Sequence, residues 1–233
     1  EEAPRVVLMC RAVTQWMGEL GVVIVAGVIL PVFYRVIRTV YAVERGAYLV
    51  APRFVSTVRR LFTLYVAVTA LGTAMLVASG MDLFDALTHS MTGIATGGMS
   101  TKSSSIGFWY SAGNYAVLAS TTVIMVLGAL NFVDLYNLFR GRLRRFIDSP
   151  EVRGMLAILV IASTTLILTS WGNAAKALER VYHFISGFTT TGFQLTDLYS
   201  ESEAAKAILI LGMAVGGATF STAGGIKIMR FLM

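Results

Sequence analysis

Cysteine and histidine are almost missing from this sequence: Cys10 is the sole thiol, and His89 and His183 are the only imidazoles. One thiol cannot close an internal disulfide or build a multi-cysteine metal site, and two imidazoles are too few for a histidine-based one, so zinc and dithiol redox chemistry are set aside. Charge is scarce too, at 14% of 233 residues, where a soluble domain carries roughly a quarter. The chain is instead 56% hydrophobic with a mean hydropathy of +0.72, the composition of an all-α integral membrane protein that crosses the bilayer several times. The net charge of +6 would suggest nucleic acid as a partner of a soluble protein. Here the basic residues lie between apolar runs, where they orient a membrane protein, and no nucleic-acid partner is expected.

Five apolar runs place the predicted spans: Leu20 to Tyr34, Leu61 to Ser79, Tyr115 to Val133, Met155 to Trp171 and Ala204 to Gly217. With their flanks each approaches the ~20 residues that a spanning helix needs. Arg35, Arg38, Arg45, Arg53, Arg59 and Arg60 follow the first run, and Arg140, Arg142, Arg144, Arg145 and Arg153 follow the third, so both segments are read as cytoplasmic. The alternate segments, Gly80 to Gly113 and Gly172 to Glu203, hold few cations and are read as external. The chain opens on Glu1, with no basic n-region and cleavage site before the first run. The expectation is therefore no evident signal peptide, and a processed chain or a piece of a longer one.

The sequence also repeats itself without a gap. His89-Ser-Met-Thr-Gly-Ile-Ala-Thr-Gly-Gly-Met99 aligns with His183-Phe-Ile-Ser-Gly-Phe-Thr-Thr-Thr-Gly-Phe193 at an offset of 94, with His, Gly, Thr and Gly identical at 89/183, 93/187, 96/190 and 98/192. Thr92 and Ser186 keep a hydroxyl, and the run from Leu61 falls on the run from Met155. The repeated unit is a span, a short amphipathic stretch, a Thr/Gly turn and a second span.

The short stretches, Asp82 to Ile94 and Ala174 to Phe188, can enter a membrane part way but are too short and polar to cross it. Each leads into an uncharged Thr/Gly segment. Irregular backbone at membrane depth survives only when buried in protein or lining a watery cavity. A half-crossing helix that ends on Thr-Gly-Gly or Thr-Thr-Thr-Gly can aim carbonyls into a pore, where they replace the water around a monovalent cation, with the helix C-terminus adding partial negative charge. The expected architecture is thus span, re-entrant pore helix and span repeated around a pore, as in potassium channels. His89 and His183 are assigned to packing or orientation.

The two repeats are expected to differ in their second spans. Tyr115 to Val133 contains only Gly128, whereas its counterpart runs into Gly216-Gly-Ala-Thr-Phe-Ser-Thr-Ala-Gly-Gly-Ile-Lys227. Glycine costs a helix interior roughly 1 kcal/mol relative to alanine, so four of them with Thr219, Ser221 and Thr222 predict a helix broken within the membrane, as at the permeation paths of transporters.

The runs GGMSTKSSSIGFW, SGFTTTGFQLTD and STAGGIKIMR, with the opening RAVTQWMGELGVVIVAGVILP, resemble the Trk/Ktr/HKT superfamily of potassium transporters, most closely its TrkH-type membrane subunits. The four motifs fall in family order and cover nearly the whole chain. The resemblance divides it into 1–55, the second span of repeat one with a cytoplasmic loop; 56–148, repeat two; and 149–233, repeat three. It implies potassium uptake through a selectivity filter formed here by Ala95, Thr96, Gly97 and Gly98 and by Thr189, Thr190, Thr191 and Gly192. The K+ would sit at the carbonyls of Thr96, Gly97, Thr190 and Thr191. It also implies a gating loop of Gly216, Gly217, Ala218, Thr219, Phe220, Ser221, Thr222, Ala223, Gly224, Gly225 and Lys227, with Phe220 where many relatives carry glycine.

The implied partners are the lipid bilayer, a second pore subunit in a homodimer, and a cytosolic nucleotide-binding regulatory subunit of the TrkA type docked near Arg140 to Arg145. The implied location is the plasma (inner) membrane of a prokaryote, and no organic cofactor is expected. The first-repeat filter and the fourth repeat are not in this sequence. Filter glycine replaced by serine marks some sodium-permeable relatives, and neither repeat here carries it. Three other readings remain open at this stage: a sodium-permeable relative, a non-conducting assembly subunit whose glycines serve helix packing, and an intramembrane hydrolase using Ser90, Ser186 or Ser221 with His89 or His183. No GxSxG elbow supports the last.

Overall fold

In the computed structural model of the chain, residues 3–25, 54–199 and 201–233 are described. Among them are eleven helices and no strand: α1 (Arg5–Ile24), α2 (Phe54–Ala78), α3 (Leu83–Ile94), α4 (Gly107–Ser111), α5 (Tyr115–Ala129), α6 (Phe132–Phe139), α7 (Leu143–Ile147), α8 (Pro150–Leu168), α9 (Ala174–Phe188), α10 (Glu203–Val215) and α11 (Ile228–Leu232).

Within α2 and in α8, Val58–Ala78 and Pro150–Leu168 are long and apolar enough to cross a membrane. Their outward faces expose Phe62, Val66, Leu71 and Val77 on α2, and Val160, Ile161 and Leu168 on α8. Water would penalise such a surface and lipid accepts it. The run Tyr115 to Val133, expected as one span, is interrupted. Helix α5 stops at Ala129, Leu130 is extended, and α6 leaves at 119° to α5. Asn131 causes the restart, its side chain accepting from Val133 N at 2.9 Å as an N-cap. The bent pair counts as a third span if taken together. At the start of the chain, α1 begins at Arg5 and meets the expected run Leu20 to Tyr34 only at its end; residues 26–34, with Arg35, Arg38, Arg45 and Arg53, lie outside the described residues.

The two short amphipathic stretches are helices, and both bury their C-terminal halves. Asp82 caps α3 by accepting from Phe84 N, and Asn173 caps α9 by accepting from Lys176 N. Helix α3 packs among α1, α2 and α5, and α9 among α5, α8 and α10. Thr88 to Ile94 are all buried, against a core in which Val68, Leu76, Ile124 and Met125 have no exposed surface. Closeness is set at Gly128 of α5, where a Cβ would stand 2.6 Å from the Ile94 carbonyl oxygen, so a larger residue would push the end of α3 away.

Candidate ion filter and intramembrane loop

Helices α3 and α9 end in the same way. Ala95 and Thr189 close them as C-caps, and Thr96 and Thr190 then turn left-handed, with φ of 50° and 56°. Thr96 N bonds the Gly93 carbonyl at 3.1 Å and Thr190 N the Gly187 carbonyl at 2.9 Å. Gly97 N and Gly98 N both reach the Thr92 carbonyl, as Thr191 N and Gly192 N both reach that of Ser186. The glycines at 98 and 192 follow with φ of 65° and 92°. Repetition in sequence is therefore repetition in backbone geometry.

A left-handed conformation costs an L-residue about 1–2 kcal/mol, and a β-branched threonine there is a genuine outlier. Two such threonines at equivalent positions indicate that the turn is required. Its consequence is that the carbonyls of Thr96, Gly97, Thr190 and Thr191 accept no hydrogen bond among the described residues. The C-terminal, partially negative ends of two helices lie beside them. The two turns also touch. A Cβ on Gly98 would lie 2.1 Å from the Thr191 carbonyl oxygen, so the first turn is fitted directly against the second.

Beyond the turns, side chains brace the outgoing segments. His89 Nδ1 meets the Asp85 carbonyl at 2.7 Å and its Nε2 the Ser100 hydroxyl at 2.8 Å, while His183 Nε2 accepts from Leu195 N at 2.9 Å. Each histidine thus ties its short helix to the segment leaving the turn, in keeping with an orienting role. The paired hydroxyls do likewise by different bonds: Thr92 Oγ1 donates to the Met99 carbonyl and Ser186 Oγ accepts from Gly192 N. The His89 ring packs on Phe193 and Trp109, and Gly107 N bonds the Gln194 carbonyl, so the two outgoing segments are interlocked. Ser90 and Ser221 instead bond the carbonyls of Thr69 and Ala218. Among the described residues no carboxylate stands behind either imidazole as a triad would require.

Below the turns lies the segment Gly216 to Lys227. Helix α10 ends where Gly216 takes φ of 72°, and the chain stays irregular until α11, as expected. It is firmly held. Ala218 N bonds the Ala129 carbonyl at 2.9 Å and the Phe220 carbonyl accepts from Phe132 N at 3.1 Å, so the groups freed by the break between α5 and α6 are taken up by the loop. Thr222 Oγ1 lies 2.8 Å from the carbonyls of both Ile94 and Gly128, and Gly224 N donates to Thr190 Oγ1 at 2.6 Å. Between loop and turns is an open cavity of about 510 Å³, bordered by Thr96, Thr190, Phe220, Thr222, Lys227 and Glu19. Lys227 Nζ is bonded to the Ala223 carbonyl.

At the opposite end of α9 a charged cluster fixes that helix. Glu201, 6% exposed, pairs with Lys176 at 2.5 Å and Arg180 at 2.9 Å, and Arg180 reaches Ser170 at the end of α8. Burial alone would raise the Glu201 carboxyl, but its bonds to Lys176 and Arg180 outweigh this and hold it below the usual glutamate value. Tyr110 donates to Glu179 across the two repeats, and burial together with that bond raises its hydroxyl.

Three participants escaped the reading of the sequence. Gln15 of α1 lies so close to the first turn that any Cβ at Gly97 would overlap its amide, Glu19 faces the cavity, and Glu151 accepts from both the loop and Asn131. Acidic residues at the edges of apolar runs were the available signal for the last two.

A family model described as TrkH, cation transport protein, matches residues 1–172 and 154–233. The chain is 31% identical to the Trk system potassium uptake protein TrkH of Halomonas elongata over 99% of its length and 49% of that protein's. It is 28% identical to the protein of that name in Escherichia coli K12 over 100% of this chain and 50% of the relative. An uncharacterised cation transporter of Methanocaldococcus jannaschii is also 28% identical, over 100% of this chain and 47% of the relative. The crystal structure of the potassium transporter TrkH from Vibrio parahaemolyticus superposes with a TM-score of 0.84 at 28% identity, covering 99% of this chain and 48% of that one. The chain spans about half the length of the relatives it matches, and those relatives are named as transporters and not as enzymes. By its helical membrane fold and these matches, the chain belongs to the TrkH family of cation transport proteins.

Proposed function

We propose that this chain supplies two of the walls of a potassium uptake pathway. The observation that carries the reading is the pair of left-handed turns at the ends of two buried helices, with four carbonyls left without hydrogen-bond donors among the described residues. Carbonyls of Thr96, Gly97, Thr190 and Thr191 replace the hydration shell of K+, which passes down its electrochemical gradient without covalent chemistry. Ala95, Thr189, Gly98 and Gly192 complete the two filter segments. The potassium uptake named for its relatives favours K+ as the transported ion, and neither repeat carries the filter serine of sodium-permeable relatives. Gly216 to Lys227 is the gate: its residues, Phe220 among them, line the cavity that also borders the turns at Thr96 and Thr190.

The division into the second span of repeat one with a cytoplasmic loop (1–55), repeat two (56–148) and repeat three (149–233) belongs to the same reading and is supported by the duplicated turn. Residence in a prokaryotic plasma membrane, pairing into a homodimer of pore subunits and docking of a TrkA-type nucleotide-binding regulator on the Arg140 to Arg145 face belong to the same reading.

The test is potassium against sodium flux through the intact protein in liposomes, with Gly192→Ser as the internal comparison. Potassium-selective flux that becomes less selective in the variant is the expected result. Absence of cation flux in both, with and without a cytosolic regulator, would make the chain part of a non-conducting assembly subunit.

A further inference from the structure

The hydrogen bonds that hold the intramembrane loop are mostly bonds between neutral groups: Ala218 to Ala129, Phe220 to Phe132, Thr222 to Ile94 and Gly128. One is different. Thr219 N donates to Glu151 Oε1 at 2.9 Å, and the other oxygen of the same carboxylate, Oε2, accepts from Asn131 Nδ2 at 2.8 Å. Asn131 in turn spends its own oxygen on capping α6. Glu151 is 6% exposed and sits in the first turn of α8, where the partial positive charge of the helix N-terminus favours an anion. Lys227, within the loop, is in electrostatic range of it, as is Asp134. A single buried carboxylate thus joins three parts of the chain: the loop, the break between α5 and α6, and the start of the next spanning helix. Bonds to an ionised acceptor are roughly twice as strong as neutral ones, and a buried carboxylate that loses one of two donors is left undersatisfied.

We infer that Glu151 is the latch of the loop, a positioning residue that holds Gly216 to Lys227 in its closed place through Thr219 and is itself oriented by Asn131. The inference rests on the reading of that loop as the gate. Opening breaks the bond from Thr219 N and leaves the carboxylate with Asn131 alone, so the latch biases the loop toward closure. A role as mere packing is separable from this, because the bond from Asn131 has a direction that can be reversed.

In Glu151→Gln the amide can accept from Thr219 only by turning its NH2 toward the NH2 of Asn131. In Asn131→Asp the cap on Val133 is kept but an oxygen faces the Glu151 oxygen. The double variant rebuilds the pair with donor and acceptor exchanged. Potassium and sodium fluxes of the intact protein in liposomes should show each single variant raised on the order of tenfold, the equivalent of one charge-assisted hydrogen bond, with the K+/Na+ ratio unchanged. The double variant should return close to the unmodified flux. Single variants at the unmodified flux, or a double variant no closer to it than the singles, would overturn the latch. If Glu151→Gln fails to insert, Asn131→Asp alone decides by the same criterion. Phe220→Gly separates the two layers of the reading. Raised flux there with silent latch variants means that the loop gates without Glu151, while no change in any of them removes the gate as well.

Discussion

The contact between the two turns, proposed as filter segments, can be tested at Gly98. A methyl group there would stand 2.1 Å from the Thr191 carbonyl oxygen and 2.9 Å from its carbon, where real Cβ contacts stay beyond 3.0 Å. The obstacle is backbone and cannot rotate aside, so in Gly98→Ala the oxygen must withdraw by about 0.9 Å, the difference between those limits. The residue also sits at φ 65°, which costs a non-glycine about 1–2 kcal/mol. Only the first effect moves the Thr191 carbonyl proposed to face the ion. Gly113→Ala therefore serves as control: its φ is 76° with no atom within 4 Å of the added methyl, so it carries the conformational cost without the collision. In reconstituted intact protein, Gly98→Ala should lower K+/Na+ selectivity tenfold or more, which corresponds to about 1.4 kcal/mol of differential ion binding, while Gly113→Ala lowers stability alone. Unchanged selectivity in Gly98→Ala, or equal losses in both variants, would refute the fitted contact between Gly98 and the Thr191 carbonyl.

Two further perturbations address the loop and the outer cluster. Thr222→Val keeps the shape of a buried residue and removes the hydroxyl that lies 2.8 Å from two carbonyls; thermal unfolding should show a loss of about 1–2 kcal/mol, with flux raised because the loop is less firmly seated. Glu201 has a lowered carboxyl in the folded protein, so its pairing contributes stability above the ordinary glutamate value near 4.5 and loses it as pH falls through the lower folded value. Melting temperature should therefore be level near neutrality and fall below about pH 4.5, with Glu201→Gln less stable at neutral pH and showing a shallower fall. A variant that melts like the unmodified protein at both pH values would remove Glu201 from the support of α9.

The paired turns were legible because they are duplicated. A lone Thr-Gly-Gly is an ordinary loop, but His89, Gly93, Thr96 and Gly98 recurring at His183, Gly187, Thr190 and Gly192 signalled one backbone device used twice. The loop was legible through its glycines, since a helix rarely continues through Gly216, Gly217, Gly224 and Gly225. The break in Tyr115 to Val133 was not. Leu130 and Asn131 carry no glycine or proline, and the interruption is stabilised by partners remote in sequence: Asn131 caps the new helix while Ala218 and Phe220 take the released backbone groups. Glu151 was hidden for a similar reason. Beside Pro150 it reads as the acidic first turn of a helix, and its bond to Thr219 exists only once α8 and the loop are brought together. Helix α1 was not legible as a unit, because it begins among Arg5, Arg11 and Gln15, which no apolar window includes, and residues 26–34 of the expected first run lie outside the described residues.

Rubidium, a close substitute for K+ with a strong anomalous signal, offers the most direct test of the central claim. In crystals of the intact protein soaked in a rubidium salt, anomalous density should appear among the carbonyl oxygens of Thr96, Gly97, Thr190 and Thr191, and should fade when sodium replaces rubidium. Density absent from these carbonyls while present elsewhere along the pathway, or occupied equally by sodium, would contradict the assignment of these two turns as a potassium filter.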